Sequence, residues 1–158
     1  MVLANILKKH SVIGVAGNRS SGKTMTVLTQ IKQLRRANPN IPIFVFGVEK
    51  SLYNELKRLN IRFIKNKHDI LDLKIANSLI YVAEWAILFN DSNGSRGAKK
   101  QQKFFDRIEH KNDKIIIDTA RQGFFKKAMC AQITCFIVKE IEVANLVNGT
   151  WLSTVVHG

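Results

Sequence analysis

Cysteine is scarce, with two in 158 residues. Cys130 and Cys135 have no second Cys or His pair at ligand spacing, so they make no zinc site and are expected as reduced core residues. Long apolar runs are also missing. The most apolar stretch, LIYVAEWAILF at 79–89, carries Glu84 and has about half of the 20 residues that a membrane-spanning helix needs. No integral membrane segment is expected. No N-terminal stretch joins a long apolar core to a small-residue cleavage site, so the reading is a soluble, intracellular protein. Internal repeats and low-complexity tracts are absent. Acidic residues are few, 12 against 25 Lys and Arg, and the net charge is +13. Such an excess favours a polyanionic partner, nucleic acid first, because each cation docked on a phosphate releases counterions; the plain alternative is a solvated Lys-rich surface.

What is present is ordinary for a folded domain: 46% hydrophobic and 23% charged residues. The length suits a single domain over 1–158, with a core that needs no metal or disulfide staple. VIGVA (12–16) reads as a buried strand feeding a glycine turn, and GKTMTVLTQIKQLRR (22–36) as a helix with Met25, Leu28, Ile31 and Leu34 on its buried face. That helix should stop before NPN (38–40), since Pro39 disfavours helix in the residue before it. IPIFVF (41–46) is a second buried strand, ended by Gly47. SLYNELKRL (51–59) has helical spacing, IRFIK (61–65) alternates like a short strand, and SLIYVA (78–83) is a strong strand. NDSNGSRG (90–97) carries loop chemistry. AKKQQKFFDRIEH (98–110) looks helical, with KIIID (114–118) and ITCFIV (133–138) as further strands and RQGFFKKAMCAQ (121–132) as a loop with a short helix. Apolar strands alternating with helices predict an α/β protein of three layers, with a mostly parallel sheet covered on both sides.

One octet carries the strongest chemical signal. Gly17-Asn18-Arg19-Ser20-Ser21-Gly22-Lys23-Thr24 satisfies the P-loop (Walker A) pattern between an apolar strand and a helix. Average residue frequencies would produce such an octet in about half a percent of chains this long, so chance is a poor explanation. Gly17 and Gly22 permit backbone angles that turn successive N–H groups inward as an anion nest, and small Ser20 and Ser21 keep it open. The helix N-terminus, through Met25, adds partial positive charge. Lys23 would reach the β- and γ-phosphates, and the Thr24 hydroxyl would ligate Mg²⁺. ATP and Mg²⁺ are therefore the expected ligands.

Phosphoryl transfer to water also needs an acid at a neighbouring strand tip, and Glu84 directly follows LIYVA. Walker B strands usually end Asp-Glu, whereas here the Asp position is Ala83. Metal affinity must then come from Thr24, the phosphates and an acid elsewhere such as Asp118. Thr119 and Gln122 are candidate γ-phosphate sensors if KIIID lies beside the Glu84 strand. Arg96, Arg107 and Arg121 are candidate arginine fingers for an adjacent subunit.

There is no Asn-Lys-x-Asp guanine motif and no lid-like cluster of arginines. The order that remains is an acid after a strand, a loop with Asn93, Gly94 and Arg96, a helix ending in Glu109-His110, and a strand running into Thr119 and Gln122. It resembles the FtsK/HerA superfamily of DNA-pumping ATPases, above all viral genome-packaging ATPases, and is similar to zonula occludens toxin-like phage ATPases. Over about residues 12–140 the resemblance implies a RecA-like P-loop fold and a homo-oligomeric ring, possibly hexameric, around non-specifically held double-stranded DNA. It also implies a host-cytoplasmic or virion-associated setting with a capsid or membrane-portal partner. Lys99, Lys100 and Lys103, with Lys126 and Lys127 beside Phe124 and Phe125, are the candidate DNA-gripping residues. Two other functions fit the octet: a small-molecule (nucleotide-type) kinase, and a nucleotide-binding assembly factor with little hydrolysis, which Ala83 favours.

Overall fold

The computed structural model describes residues 3–17, 23–66, 69–70, 73–83, 95–119 and 135–139. In chain order these form helix α1 (Leu3–Lys9), strand β1 (Val12–Gly17), helix α2 (Lys23–Ala37), strand β2 (Ile43–Phe46) and a 3₁₀ turn at Lys50–Leu52. Helix α3 (Tyr53–Arg58), strand β3 (Arg62–Ile64), strand β4 (Leu79–Val82), helix α4 (Ser95–Lys111), strand β5 (Lys114–Thr119) and strand β6 (Cys135–Lys139) follow. The expected segments largely stand. Residues 95–97, expected as loop, instead open α4, and α1 is an element that no periodicity announced.

The six strands form one sheet in the order β3-β2-β4-β5-β1-β6, and every described pairing is parallel. All four residues of β2 and of β4 are buried, as expected of strands covered on both faces. Side chains of alternate strand residues enter different cores. Ile13, Val15, Val45, Leu79, Tyr81 and Ile116 pack with Leu3 and Leu7 of α1, Leu28 and Ile31 of α2 and Leu56 of α3. Val12, Phe44, Ile80, Val82, Ile115 and Ile117 pack on the other side with Phe104 and Phe105 of α4. The step from β1 to β2 moves one way across the sheet and the step from β4 to β5 moves the other, so right-handed connections place α2 and α4 on opposite faces. Met25 does not share the expected buried face of α2 and is 49% exposed.

Parallel strands collect all their starts at one edge and all their ends at the other. At the starting edge, Arg107 of α4 is buried against Asp113, the residue before β5. Its Nε and Nη2 each lie 2.9 Å from Asp113 Oδ2. Arg107 Nη1 also donates to the Leu73 carbonyl at 2.7 Å, and Asp113 Oδ1 accepts the Ser78 amide at 2.9 Å just before β4. Arg35, also buried, donates from its two terminal nitrogens to the carbonyls of Asn38, Pro39 and Asn60. It thereby joins the end of α2 to the turn after α3, and desolvation there lowers its pKa from the ordinary value.

Candidate nucleotide-binding edge

At the finishing edge, β1 ends at Gly17 and α2 begins at Lys23, so residues 18–22 must turn a buried strand into a helix. The first turn of α2 holds no acid, which leaves its positive end free to attract an anion. Asn18, Arg19, Ser20, Ser21 and Gly22 lie outside the described residues. Lys23 is the first residue of α2, and Thr24 follows it half-buried.

Strand order settles the arrangement around this turn. β5 lies between β1 and β4, the condition on which the sensor assignment depended. Its register sets Thr119 beside Ala16 and Asp118 beside Val15, so β5 finishes level with the last residues of β1. From β1 the chain crosses toward β2, and from β5 it crosses the other way, past β1, to β6. Neighbouring strands whose connections part in this manner leave a crevice at their carboxyl ends, the usual ligand position in open parallel sheets. Gln122 lies outside the described residues.

β4 brings Ala83 to the same edge, where it is 1% exposed and its amide donates to the Phe46 carbonyl at 2.8 Å. Glu84, the next residue, lies outside the described residues. Behind Ala83 sits Gly47, with φ of +82°, where a Cβ would stand 2.2 Å from the Ala83 carbonyl oxygen. Only glycine fits, because an L side chain would clash and would disfavour that φ. The sequence marked Gly47 as a strand stop, but its contact with Ala83 depends on β2 and β4 being neighbours.

Asp118 is fully buried, and its Oδ2 accepts a hydrogen bond from the Tyr81 hydroxyl across the β4–β5 ladder. Tyr81 stands beside Ile116, so the bond runs to the diagonal neighbour two residues on, within reach of a long aromatic side chain. Sequence reasoning missed Tyr81 because nothing local to a strand tyrosine announces such a partner.

The arginine-finger expectation is corrected at Arg107. Its guanidinium is 4% exposed and committed to Asp113, Leu73 and Ile75 at the starting edge, opposite the phosphate loop. Arg96 lies in the first turn of α4, and Arg121 lies outside the described residues. Lys99, Lys100 and Lys103 follow Arg96 along α4 at three- and four-residue spacing, and Lys103 is exposed. α4 has to run back from the end of β4 to the start of β5. Its last residue is tied to the starting edge by the Asn77 amide on the Lys111 carbonyl, 2.9 Å. The basic beginning of this 17-residue helix therefore points to the finishing edge, about 25 Å away. Lys126 and Lys127 lie outside the described residues.

An open pocket of about 430 Å³ lies at the starting edge between α1, the end of α2 and Lys114, remote from the loop. Among the described residues no group of three or more His, Cys, Asp or Glu is placed to hold a metal. Nor is any helix there long and apolar enough to cross a membrane.

No family model matches the sequence, and no curated protein does. Among solved structures, the chain is similar to one named an ATPase, at a TM-score of 0.60 and 14% identity over 87% of this chain and 68% of that one. It also aligns with the FIGL-1 AAA domain in complex with ADP, at a TM-score of 0.47 and 11% identity over 81% and 42% of the two chains. At such identity the first likeness is one of fold: the chain shares with that structure a three-layer α/β arrangement around a parallel sheet.

Proposed function

We propose that the chain binds ATP with Mg²⁺ on the Gly17–Thr24 loop and hydrolyses it, and that a homo-oligomeric ring couples this hydrolysis to movement of double-stranded DNA. One observation carries the nucleotide reading. The octet joins a buried strand to a helix at an edge where β5 separates β1 from β4, so that three neighbouring strands finish at that one edge. Backbone amides of the loop hold the phosphates, and Lys23 draws charge toward the γ-phosphate as it accumulates. Glu84, following Ala83 on the second strand away, orients the attacking water and accepts its proton. Thr119, the ladder partner of Ala16, serves in this reading as the γ-phosphate sensor. The Thr24 hydroxyl, a hard oxygen, would hold Mg²⁺, and the ion would offset the negative charge of the phosphates.

The DNA half of the proposal rests on charge and on the FtsK/HerA-like order of segments. The basic start of α4, Arg96 to Lys103, faces the same end of the molecule as the loop, so nucleotide-driven movement there would be felt by a bound polyanion. Contact of this kind is non-specific and weakens with salt. In this reading a capsid or membrane portal is the place where such a ring would work. The Ala83 substitution supports a second reading, an assembly factor that holds nucleotide with little turnover.

The test is the ATPase rate with and without double-stranded DNA for wild type, Lys23→Ala and Glu84→Gln. Lys23→Ala is expected to abolish turnover, and Glu84→Gln to retain ATP while losing hydrolysis by about 100-fold or more. Stimulation by DNA supports the motor. Tight ATP binding without turnover in wild type supports the assembly factor, and normal hydrolysis by Glu84→Gln removes Glu84 from the mechanism.

A further inference from the structure

A phosphate loop working with Mg²⁺ uses a strand-tip aspartate on the metal side in addition to the acid or amide that orients water. β4 leads into the sequence Ala83-Glu84 and so supplies only one of them, since a methyl group can neither give a lone pair to a metal ion nor accept a hydrogen bond from its water. A second carboxylate stands on the adjacent strand. Val82 pairs with Ile117 at the end of the β4–β5 ladder, and Ala83 and Asp118 each follow one member of that last pair. Both belong to the face under α2. Ala83 belongs to the same core cluster as Val27, Leu28 and Tyr81, and Asp118 accepts the Tyr81 hydroxyl. Asp118 is also one ladder spacing, about 4.8 Å, nearer to the P-loop strand, where it adjoins Val15 two residues before Gly17.

A carboxylate that is 0% exposed is expensive to bury, and an apolar residue would serve stability as well or better. From this placement we infer that Asp118 on β5 takes over the metal-side acid role that Ala83 cannot fill, so that the two acidic functions of the site are split across adjacent strands. The inference rests on the reading that the loop binds nucleotide. Mg²⁺ takes hard oxygen donors, and the Thr24 hydroxyl and the Asp118 carboxylate are of that kind. The Tyr81 hydroxyl holds the Asp118 carboxylate on the α2 face.

The experiment measures binding, not turnover. Affinity for a fluorescent ADP analogue is determined in EDTA, and Mn²⁺ affinity of the protein–ADP complex is then read from the free-Mn²⁺ EPR signal. Asp118→Asn is expected to keep the metal-free nucleotide affinity and to weaken Mn²⁺ binding about 10-fold or more. Adding Ala83→Asp to that variant returns a carboxylate to the same face one strand over and is expected to restore Mn²⁺ binding. Wild-type Mn²⁺ affinity in Asp118→Asn overturns the inference while leaving the nucleotide reading intact. No nucleotide binding by the wild type overturns both. Should Asp118→Asn fail to fold, Asp118→Glu keeps the charge and moves the carboxylate by one methylene. A change of Mn²⁺ affinity by about 3-fold or more then supports the assignment, and an unchanged affinity rejects it.

Discussion

Gly47→Ala tests the link between fold and site most directly. The backbone there has φ of +82°, and a Cβ would stand 2.2 Å from the Ala83 carbonyl oxygen. Holding an L side chain in that conformation costs about 1–2 kcal/mol. Ordinary contact begins at about 3.5 Å, so the carbonyl or the turn must also move by roughly 1 Å. Overpacking of this kind adds about 1–3 kcal/mol, for a total of about 2–5 kcal/mol, a large part of the stability of a domain. Because Ala83 precedes Glu84, the same shift misplaces the proposed base, and a displacement of about 1 Å can lower kcat about 100-fold. The phosphate loop follows β1, two strands from β4, so ATP affinity should change little. Urea unfolding and steady-state kinetics read the two effects. Gly47→Asn separates their causes, for asparagine tolerates positive φ but still carries the Cβ. It is expected to stay at least about 1 kcal/mol below wild type. Wild-type stability and kcat in Gly47→Ala would refute the packing argument, and full recovery with asparagine would show that φ alone mattered.

Two further substitutions probe the frame that holds the edge in place. Arg107→Ala strands Asp113 as a buried, unpaired charge and is expected to cost about 3–5 kcal/mol in urea unfolding, with Arg107→Leu/Asp113→Leu recovering most of it; a loss below about 1 kcal/mol for the single change would contradict the burial of the pair. Arg35→Lys leaves the carbonyls of Asn38, Pro39 and Asn60 to an ammonium that lacks the planar fork, and a loss of about 1–3 kcal/mol is expected in thermal melts.

The local elements were legible because their signals are local. Apolar runs marked the strands, three- and four-residue spacing marked α2, and the glycine octet marked the turn between β1 and α2. Where local reading erred, a longer-range contact is visible. Met25 stands on the helical stripe yet is exposed, because the buried face of α2 runs through Val27, Leu28, Ile31 and Leu34. Arg107 has the composition of a surface finger, but α4 delivers it to Asp113 and the carbonyls of residues 73 and 75.

By itself, then, the sequence determined the alternation of buried strands and helices, the glycine octet between β1 and α2 and the excess of positive charge, all of which depend on residue types at short spacing. Tertiary structure alone decided that β5 lies between β1 and β4, that Gly47 abuts Ala83, and that the Tyr81 hydroxyl meets Asp118. Those are facts of strand order and register. The backbone hydrogen bonds that set them join residues far apart in the chain and are nearly blind to side-chain identity, so no short stretch of sequence carries them.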